Sequence, residues 1–158
     1  MVFSRIGGGR KVMLKRYTFW LIAAVLFQFL NAILHSLSFF VEPKLHNDTE
    51  RQLHDLITNY HADMGAGFHP SFWNLFTALS ACYPLLCLHG GLTLGYLLWK
   101  QTEPELMRGV ILINLVIFGV CLLVMSIFTF LPPIIMVGLV FVNLLAAFIL
   151  VPRIEVII

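Results

Sequence analysis

Residues 109–152 read GVILINLVIFGVCLLVMSIFTFLPPIIMVGLVFVNLLAAFILVP, a run of 44 residues without Asp, Glu, Lys or Arg. A helix rises 1.5 Å per residue, so a single helix of this length would be about 66 Å long, twice the thickness of a bilayer's hydrocarbon core. Pro132 and Pro133 divide the run, because neither can donate a backbone hydrogen bond and the second forces the first away from helical angles. We therefore predict two membrane-spanning helices, 109–131 and 134–151, joined by a tight turn at the prolines.

Two more uncharged runs predict two more spans, since a crossing needs about 20 helical residues. Residues 17–41 form one, and the strongly apolar part of a second run gives 71–99. The predicted fold class is an all-α polytopic membrane protein, a bundle of four transmembrane helices with a short amphipathic helix between the first two. The segments between and around the spans are a basic tail (1–16), two loops (42–70 and 100–108) and a short tail (152–158).

Composition supports a membrane protein. The chain is 59% apolar and 11% charged, with a mean hydropathy of +0.91. A typical soluble domain is about 45–50% apolar and roughly 25% charged, which excludes a soluble enzyme. The net charge of +2 is too small to indicate nucleic acid binding. The three cysteines form no disulfide or zinc pattern.

The distribution of basic residues predicts the orientation. Eight of the ten Lys and Arg residues lie in the two tails and the 100–108 loop, against Lys44 and Arg51 in the 42–70 loop. By the positive-inside rule, both termini are cytoplasmic and the 42–70 loop is extracytoplasmic. The first span exceeds the length of a signal-peptide core and no small-x-small cleavage site follows it, so we expect it to remain as an anchor.

The 42–70 loop holds five of the eight acidic residues and four of the six histidines. Asn47 and Glu50 have the spacing of a helix cap and the side chain that reaches back to it. Apolar residues then recur at helical spacing from Leu53 to Tyr60, and the glycines that follow are expected to end the helix. We predict a short helix that lies on the membrane surface or caps the bundle.

One face of the first span is polar. Gln28, Asn31, His35 and Ser38 are spaced by 3, 4 and 3 residues, which places them on one helical face. Polar groups are costly in hydrocarbon, so this face should point into the bundle. The candidate partners on other spans are His89, Asn114 and Asn143. The face could form a pocket for a small ligand such as a quinone head group, or a proton path; interhelical hydrogen bonds that fix packing are the favoured interpretation.

His35 and His89 also suggest a haem held by two imidazoles. Their depths argue against it. His35 lies about 9 Å from the outer end of its span and His89 about 15 Å from the inner end of its own, so in a 30 Å core their levels differ by about 6 Å. Axial ligands of one haem need similar depths, and we predict no haem.

A second metal hypothesis concerns the loop. Glu50 and His54 are one helical turn apart, and His54 and His61 are two turns apart on the same side. A helix-borne zinc site usually has ligands at i and i+4 with a third nearby, and these three residues fit only if the helix axis bends or the loop folds back. We favour solvated histidines and predict no zinc.

Gly91 and Gly95 have the small-x-x-x-small spacing that allows two helices to approach closely. The motif fits packing within the bundle, against the third span, or the seam of a homodimer. Packing within the bundle is favoured.

Three motifs follow one another: Thr49-Glu50-x-x-Leu53-x-x-Leu56-x-x-x-Tyr60, Asp63-x-Gly65-x-Gly67-Phe68 and Trp73-Asn74-Leu75-Phe76. With them the chain resembles an uncharacterised family of small bacterial four-helix integral membrane proteins, over residues 17–151. The resemblance implies a bacterial origin, the plasma (inner) membrane and four helices. It assigns no catalytic residue. It also implies that Asp63, Gly65, Gly67 and Trp73 shape the return of the loop to the membrane.

The predicted function is non-enzymatic: an accessory subunit, or a binder of a lipophilic ligand, without a cofactor. Gln28, Asn31 and His35 would line the site, and the 42–70 loop would cap it. The alternative is a haem- or quinone-linked oxidoreductase component; a small transporter or channel ranks third, because no span carries a charged residue. The expected partners are the lipid bilayer and a larger membrane complex or a second copy, with no nucleic acid.

Overall fold

The computed structural model describes the backbone of residues 3–152 and the side chains of residues 16–152. This part of the chain holds five helices and no strand. They are α1 (Phe3–Ser38), α2 (Asp48–Asn59), α3 (Phe72–Trp99), α4 (Pro104–Phe128) and α5 (Leu131–Leu150). The expected tail 152–158 lies outside the described residues beyond Pro152, as do the side chains of residues 1–15 in the basic tail 1–16.

Four helices of the described chain are long and apolar enough to cross a membrane. These segments are Arg16–Ser38, Phe72–Trp99, Pro104–Phe128 and Leu131–Leu150. The all-helical class and the number of candidate spans are as predicted. The short helix α2 lies between the first two of them, where the loop periodicity placed it.

The connection between α4 and α5 differs from the prediction. α5 begins at Leu131, so Pro132 and Pro133 lie in its first turn rather than in the turn between the helices. The first amide groups of a helix have no intrahelical acceptor, so prolines cost nothing there. The connection is Thr129 and Phe130, and the Thr129 amide and hydroxyl both donate to the Met125 carbonyl, at 3.0 and 2.7 Å.

The bounds of the third span also shift. α4 begins at Pro104, five residues before the predicted start, and ends at Phe128 instead of residue 131. Proline at the first helical position is already constrained to a helical angle, and Glu105 places a negative charge in the first turn, where the helix dipole favours it. The predicted loop 100–108 therefore reduces to the residues between Trp99 and Pro104.

The start of α2 is close to the prediction. The Asn47 side chain accepts a hydrogen bond from the Glu50 amide at 2.8 Å. Glu50 reaches back in turn, but its carboxylate accepts from the His46 amide at 2.6 Å and not from the amide of the cap residue itself.

The end of α2 is not set by the glycines. The helix stops at Asn59, and residues 61–71 form a short hairpin closed by an antiparallel bridge between His61 and Ser71. Its turn holds Gly65, Ala66 and Gly67, with φ of 79°, 52° and 81°. Glycine adopts these left-handed angles without a steric cost, so the glycines form the tip of the hairpin.

The chain divides into two compact units. The loop unit comprises Ala32–Leu86: the last turns of α1, all of α2, the hairpin and the first half of α3. The four-helix unit comprises the chain up to Asn31 and from Cys87 onward, with α4, α5 and the remaining parts of α1 and α3.

Arg108 joins α4 to the end of α5 within the four-helix unit. Its guanidinium donates to the carbonyls of Phe148 and Val151, at 3.2 and 3.5 Å, and lies 4.1 Å from the centre of the Phe148 ring. The last carbonyls of a helix have no intrahelical donor and carry the negative end of its dipole. Arg108 therefore caps α5 from the neighbouring helix.

Candidate functional site

Three buried asparagines of the four-helix unit are engaged with backbone. The side-chain amides of Asn31, Asn114 and Asn143 each donate to the carbonyl four residues earlier on the same helix, at 2.9, 3.0 and 2.7 Å. Asn31 also donates to the Met136 carbonyl of α5 at 3.2 Å, which links α1 to α5. These contacts are what packing requires of polar side chains in an apolar interior.

Gln28 is the exception on this face. Its side chain is fully buried, yet neither its amide nitrogen nor its oxygen has a hydrogen-bond partner within the described chain. The amide lies against Gly90 of α3, and the side-chain oxygen of Asn114 is 2.9 Å from where a Cβ at Gly90 would stand. The absence of a side chain at Gly90 leaves the space that these two amides occupy.

The predicted pocket residues fall into different units. Gln28, Asn31, His89 and Asn143 belong to the four-helix unit, and His35 belongs to the loop unit.

The two histidines considered as haem ligands have different environments. Nε2 of His35 hydrogen-bonds the Ser80 hydroxyl at 2.9 Å, and its ring lies 5.2 Å from that of Tyr83. His89 is on the exposed side of α3 and makes no hydrogen bond within the described residues.

Gly91 and Gly95 face α1. A Cβ at Gly91 would lie 3.4 Å from the Phe29 ring, and one at Gly95 would lie 3.8 Å from Val25. The motif therefore packs within the chain, but its neighbour is the first span and not the third. Gly90 lies closer to a side chain of α1 than Gly91 or Gly95 does. The small-x-x-x-small spacing did not select it.

The three residues considered as zinc ligands have other contacts. Glu50 accepts hydrogen bonds at the start of α2, His61 bonds the His69 carbonyl at 2.7 Å, and the His54 ring lies 5.7 Å from that of Trp73. Residues 16–152 contain no group of three His, Cys, Asp or Glu side chains placed to hold a metal ion.

The loop unit holds a pocket of about 460 Å³. It lies where the end of α1, the segment after it, α2 and the start of α3 meet. Its lining residues are Phe39, Phe40, Val41, Glu42, Pro43, Leu45, His54, Thr58 and Trp73. Ligand pockets in proteins measure roughly 300–1,000 Å³, so this one has room for a small molecule.

Two polar groups on α2 that line this pocket have no hydrogen-bond partner among the described residues. His54 and Thr58 are one turn apart, and both line it. The Thr58 hydroxyl is buried without a hydrogen-bond partner, and His54 makes no hydrogen bond with any other described residue. A buried hydroxyl without a partner costs about 1–3 kcal/mol, which a ligand offering a hydrogen bond would recover.

The walls around these groups are apolar and partly open. Phe39, Phe40 and Trp73 contribute aromatic rings, and Phe40 is 84% exposed at the rim. Glu42 is the one residue with a formal negative charge among the lining residues, and none of them is Lys or Arg. The pocket therefore suits an apolar molecule with a hydrogen-bonding head, and disfavours an anionic one.

Sequence reasoning missed this pocket, although part of its signal is visible. Phe39-Phe40 directly follows a span, Trp73 opens the next, and His54 and Thr58 share a face of α2. Which of these segments meet depends on the path of residues 39–47. Comparison of the chain with protein-family models, curated proteins and solved structures finds no match, so its function is inferred from the residues described above.

Proposed function

We propose that this chain is a multi-pass membrane protein that binds a small amphiphilic molecule in the loop-unit pocket. One observation carries the proposal: the Thr58 hydroxyl and the His54 ring, both without hydrogen-bond partners in the described chain, share a pocket of about 460 Å³ with three aromatic side chains. The polar pair would hold the head of the ligand, and the aromatic walls would hold its apolar body.

The location of the pocket supports a ligand that arrives from the bilayer. Phe39 follows the last residue of α1 and Trp73 is the second residue of α3, so the pocket lies at the ends of two candidate spans. Such ends meet the lipid head groups, where aromatic side chains concentrate. The distribution of Lys and Arg supports an extracytoplasmic position for this side, with cytoplasmic termini, in the plasma membrane of a bacterium.

The ligand's head group is neutral or cationic and donates or accepts hydrogen bonds. Thr58 can donate or accept, and a neutral His54 offers one nitrogen of each kind. Glu42 is the one formally negative lining residue and repels carboxylates and phosphates; because it is exposed, solvent reduces this repulsion. Fatty alcohols can donate and accept hydrogen bonds, and quinones can accept them through their carbonyl oxygens. The proposal implies carriage or sensing of such a molecule, or its presentation to a larger membrane complex, rather than catalysis.

Native mass spectrometry of the chain, purified in mild detergent, tests the proposal. We expect an added mass of a few hundred daltons on the wild type. Thr58→Val preserves the shape of the side chain and removes the hydroxyl, so it should lose the added mass. Thr49→Val, on an exposed turn of α2 outside the pocket, is the matched control and should keep it.

A fluorescence titration tests the same proposal for a ligand that is lost during purification. With Trp20 and Trp99 replaced by Phe, the remaining Trp73 reports on the pocket. Added decylubiquinone or dodecanol should change its fluorescence saturably, with weaker binding in Thr58→Val and unchanged binding in Thr49→Val. No bound mass and no saturable change with either probe, or equal behaviour of the two variants, would show that the pocket is not a ligand site.

A further inference from the structure

The exposed side of α3 in the four-helix unit carries a histidine without a hydrogen-bond partner among the described residues. His89 is exposed, and no described residue hydrogen-bonds it. It is ten residues from the end of α3 at Trp99 and seventeen from the start at Phe72, which is about 15 and 25 Å along the helix. Aromatic side chains such as Tyr96 and Trp99 concentrate at the head groups, and with these two at that level His89 would lie about 10–15 Å inside a hydrocarbon core about 30 Å thick.

Lipid chains cannot cover His89 without a cost, because they offer no hydrogen bond to its ring. The amide side chains of the unit's described spans behave differently. Asn31, Asn114 and Asn143 are buried and bonded to backbone, and Gln28 is buried against Gly90. His89 is therefore placed for a group outside its own chain.

The residues around His89 form a continuous exposed stripe. Leu92, Tyr96 and Trp99 follow at helical spacing and are 60%, 55% and 75% exposed. This stripe, His89–Trp99, is long enough to contact about three turns of another helix. The glycines that would otherwise provide a seam, Gly91 and Gly95, are already occupied by α1.

We infer that this stripe is the interface of a homodimer in which the two His89 side chains hydrogen-bond each other. An interface between two copies related by a twofold axis places a residue near the axis opposite itself. A neutral imidazole has one donor and one acceptor nitrogen, so two copies satisfy each other with one N–H···N bond. A second copy would therefore place a hydrogen-bonding partner for the His89 ring at the same depth in the membrane.

The inference rests on the membrane insertion proposed above and is independent of the ligand pocket. The experiment measures the oligomeric state of the protein. A negative result can therefore be distinguished from a failure to bind the ligand. Donor- and acceptor-labelled copies of the full chain, reconstituted in phosphatidylcholine vesicles at increasing lipid-to-protein ratios, give the dimer affinity by energy transfer.

We expect saturable energy transfer for the wild type. His89→Leu should weaken the dimer about 3- to 30-fold, the range for one interhelical hydrogen bond in a membrane. His89→Asn retains a donor and an acceptor and should dimerise better than His89→Leu. Circular dichroism confirms that each variant is helical. Absence of energy transfer in the wild type, or equal dimerisation of wild type and His89→Leu, would overturn the proposal.

Cross-linking locates the interface. In a chain with its three cysteines replaced by Ala, we compare Leu92→Cys on the stripe with Leu123→Cys on α4. The two positions are matched, at 60% and 62% exposed. A short bis-maleimide should link copies through position 92 and not through position 123. Linking at position 123 alone, or capture of a different membrane protein at position 92 in place of a second copy, would contradict a homodimer at this face.

Discussion

The side-chain amide of Gln28 fills the space that a methyl group at Gly90 would need. The contact joins α1 to α3, and Asn114 of α4 closes it from a third side. Because Gln28 is fully buried, its amide has no open space into which it could swing. The close approach of α1 and α3 thus depends on a glycine at this one position.

Gly90→Ala should therefore destabilise the fold. Overpacking a buried contact costs about 1–3 kcal/mol, which exceeds the helix propensity that Ala gains over Gly. Gly95→Ala is the matched control, since its nearest neighbour would be Val25 at 3.8 Å, an ordinary contact. Free energies of unfolding from SDS titrations in detergent micelles provide the comparison. Adding Gln28→Ala to Gly90→Ala should recover part of the lost stability. If Gly90→Ala is as stable as wild type, the side chains around position 90 can move aside at little cost.

Gln28 and Asn31 should respond in opposite directions to apolar replacement. Gln28→Met keeps the length of the side chain and removes an amide without partners, so the free energy of unfolding should rise by about 1–2 kcal/mol or stay unchanged. Asn31→Leu removes the bond to the Met136 carbonyl, so it should lower that free energy by about 0.6–2 kcal/mol. The same SDS titration measures both. A large loss of stability in Gln28→Met would mean that the amide has an essential partner.

Arg108 should contribute more to the free energy of unfolding than an exposed arginine does. Arg108→Gln removes charge-assisted hydrogen bonds to the end of α5 and the contact with the Phe148 ring, so we expect a loss of about 1.5–3 kcal/mol. Arg108→Lys should recover only part of it, because an ammonium lacks the planar fork. Arg51→Gln is the control: its partner Asp48 is 3.1 Å away, but both side chains are well exposed, and such pairs contribute little. Equal effects at positions 108 and 51 would contradict the capping role.

The orientation predicted from the basic residues can be checked with two cysteines. In the cysteine-free chain, Gln52→Cys on α2 should react with a membrane-impermeant maleimide added to intact bacterial cells. Glu103→Cys, just before α4, should react only after the cells are opened. Neither side chain makes a hydrogen bond in the described structure, so neither substitution disturbs a contact. The reverse pattern would invert the topology.

Hydropathy and spacing predicted the parts of the fold that depend on composition. Uncharged stretches of sufficient length gave four spans, and the Asn47–Glu50 spacing gave the start of α2. The pair Pro132-Pro133 was misplaced because proline suits a turn and the first turn of a helix equally well, and only the backbone hydrogen bonds of Thr129 decide between them.

The candidate site was harder to predict than the spans. Helical spacing placed Gln28, Asn31, His35 and Ser38 on one inward face; Gln28 and Asn31 are buried, whereas Ser38 is exposed. Spacing does not specify which amides find a backbone carbonyl and which do not. The pocket of the loop unit depends on the path of the segment between α1 and α2, which has no periodicity. Gly90 was overlooked for a similar reason, since its role depends on a side chain of another helix.

The two-residue connection between α4 and α5 bears on how the protein is made. Thr129 and Phe130 carry no charge, and no charged residue occurs between Arg108 and Pro152. In a chain inserted into a membrane as proposed above, no charged residue between these helices has to cross the bilayer. The two helices would thus enter the lipid together as a preformed hairpin, and the Arg108 side chain would close it at its open end once α5 has left the ribosome.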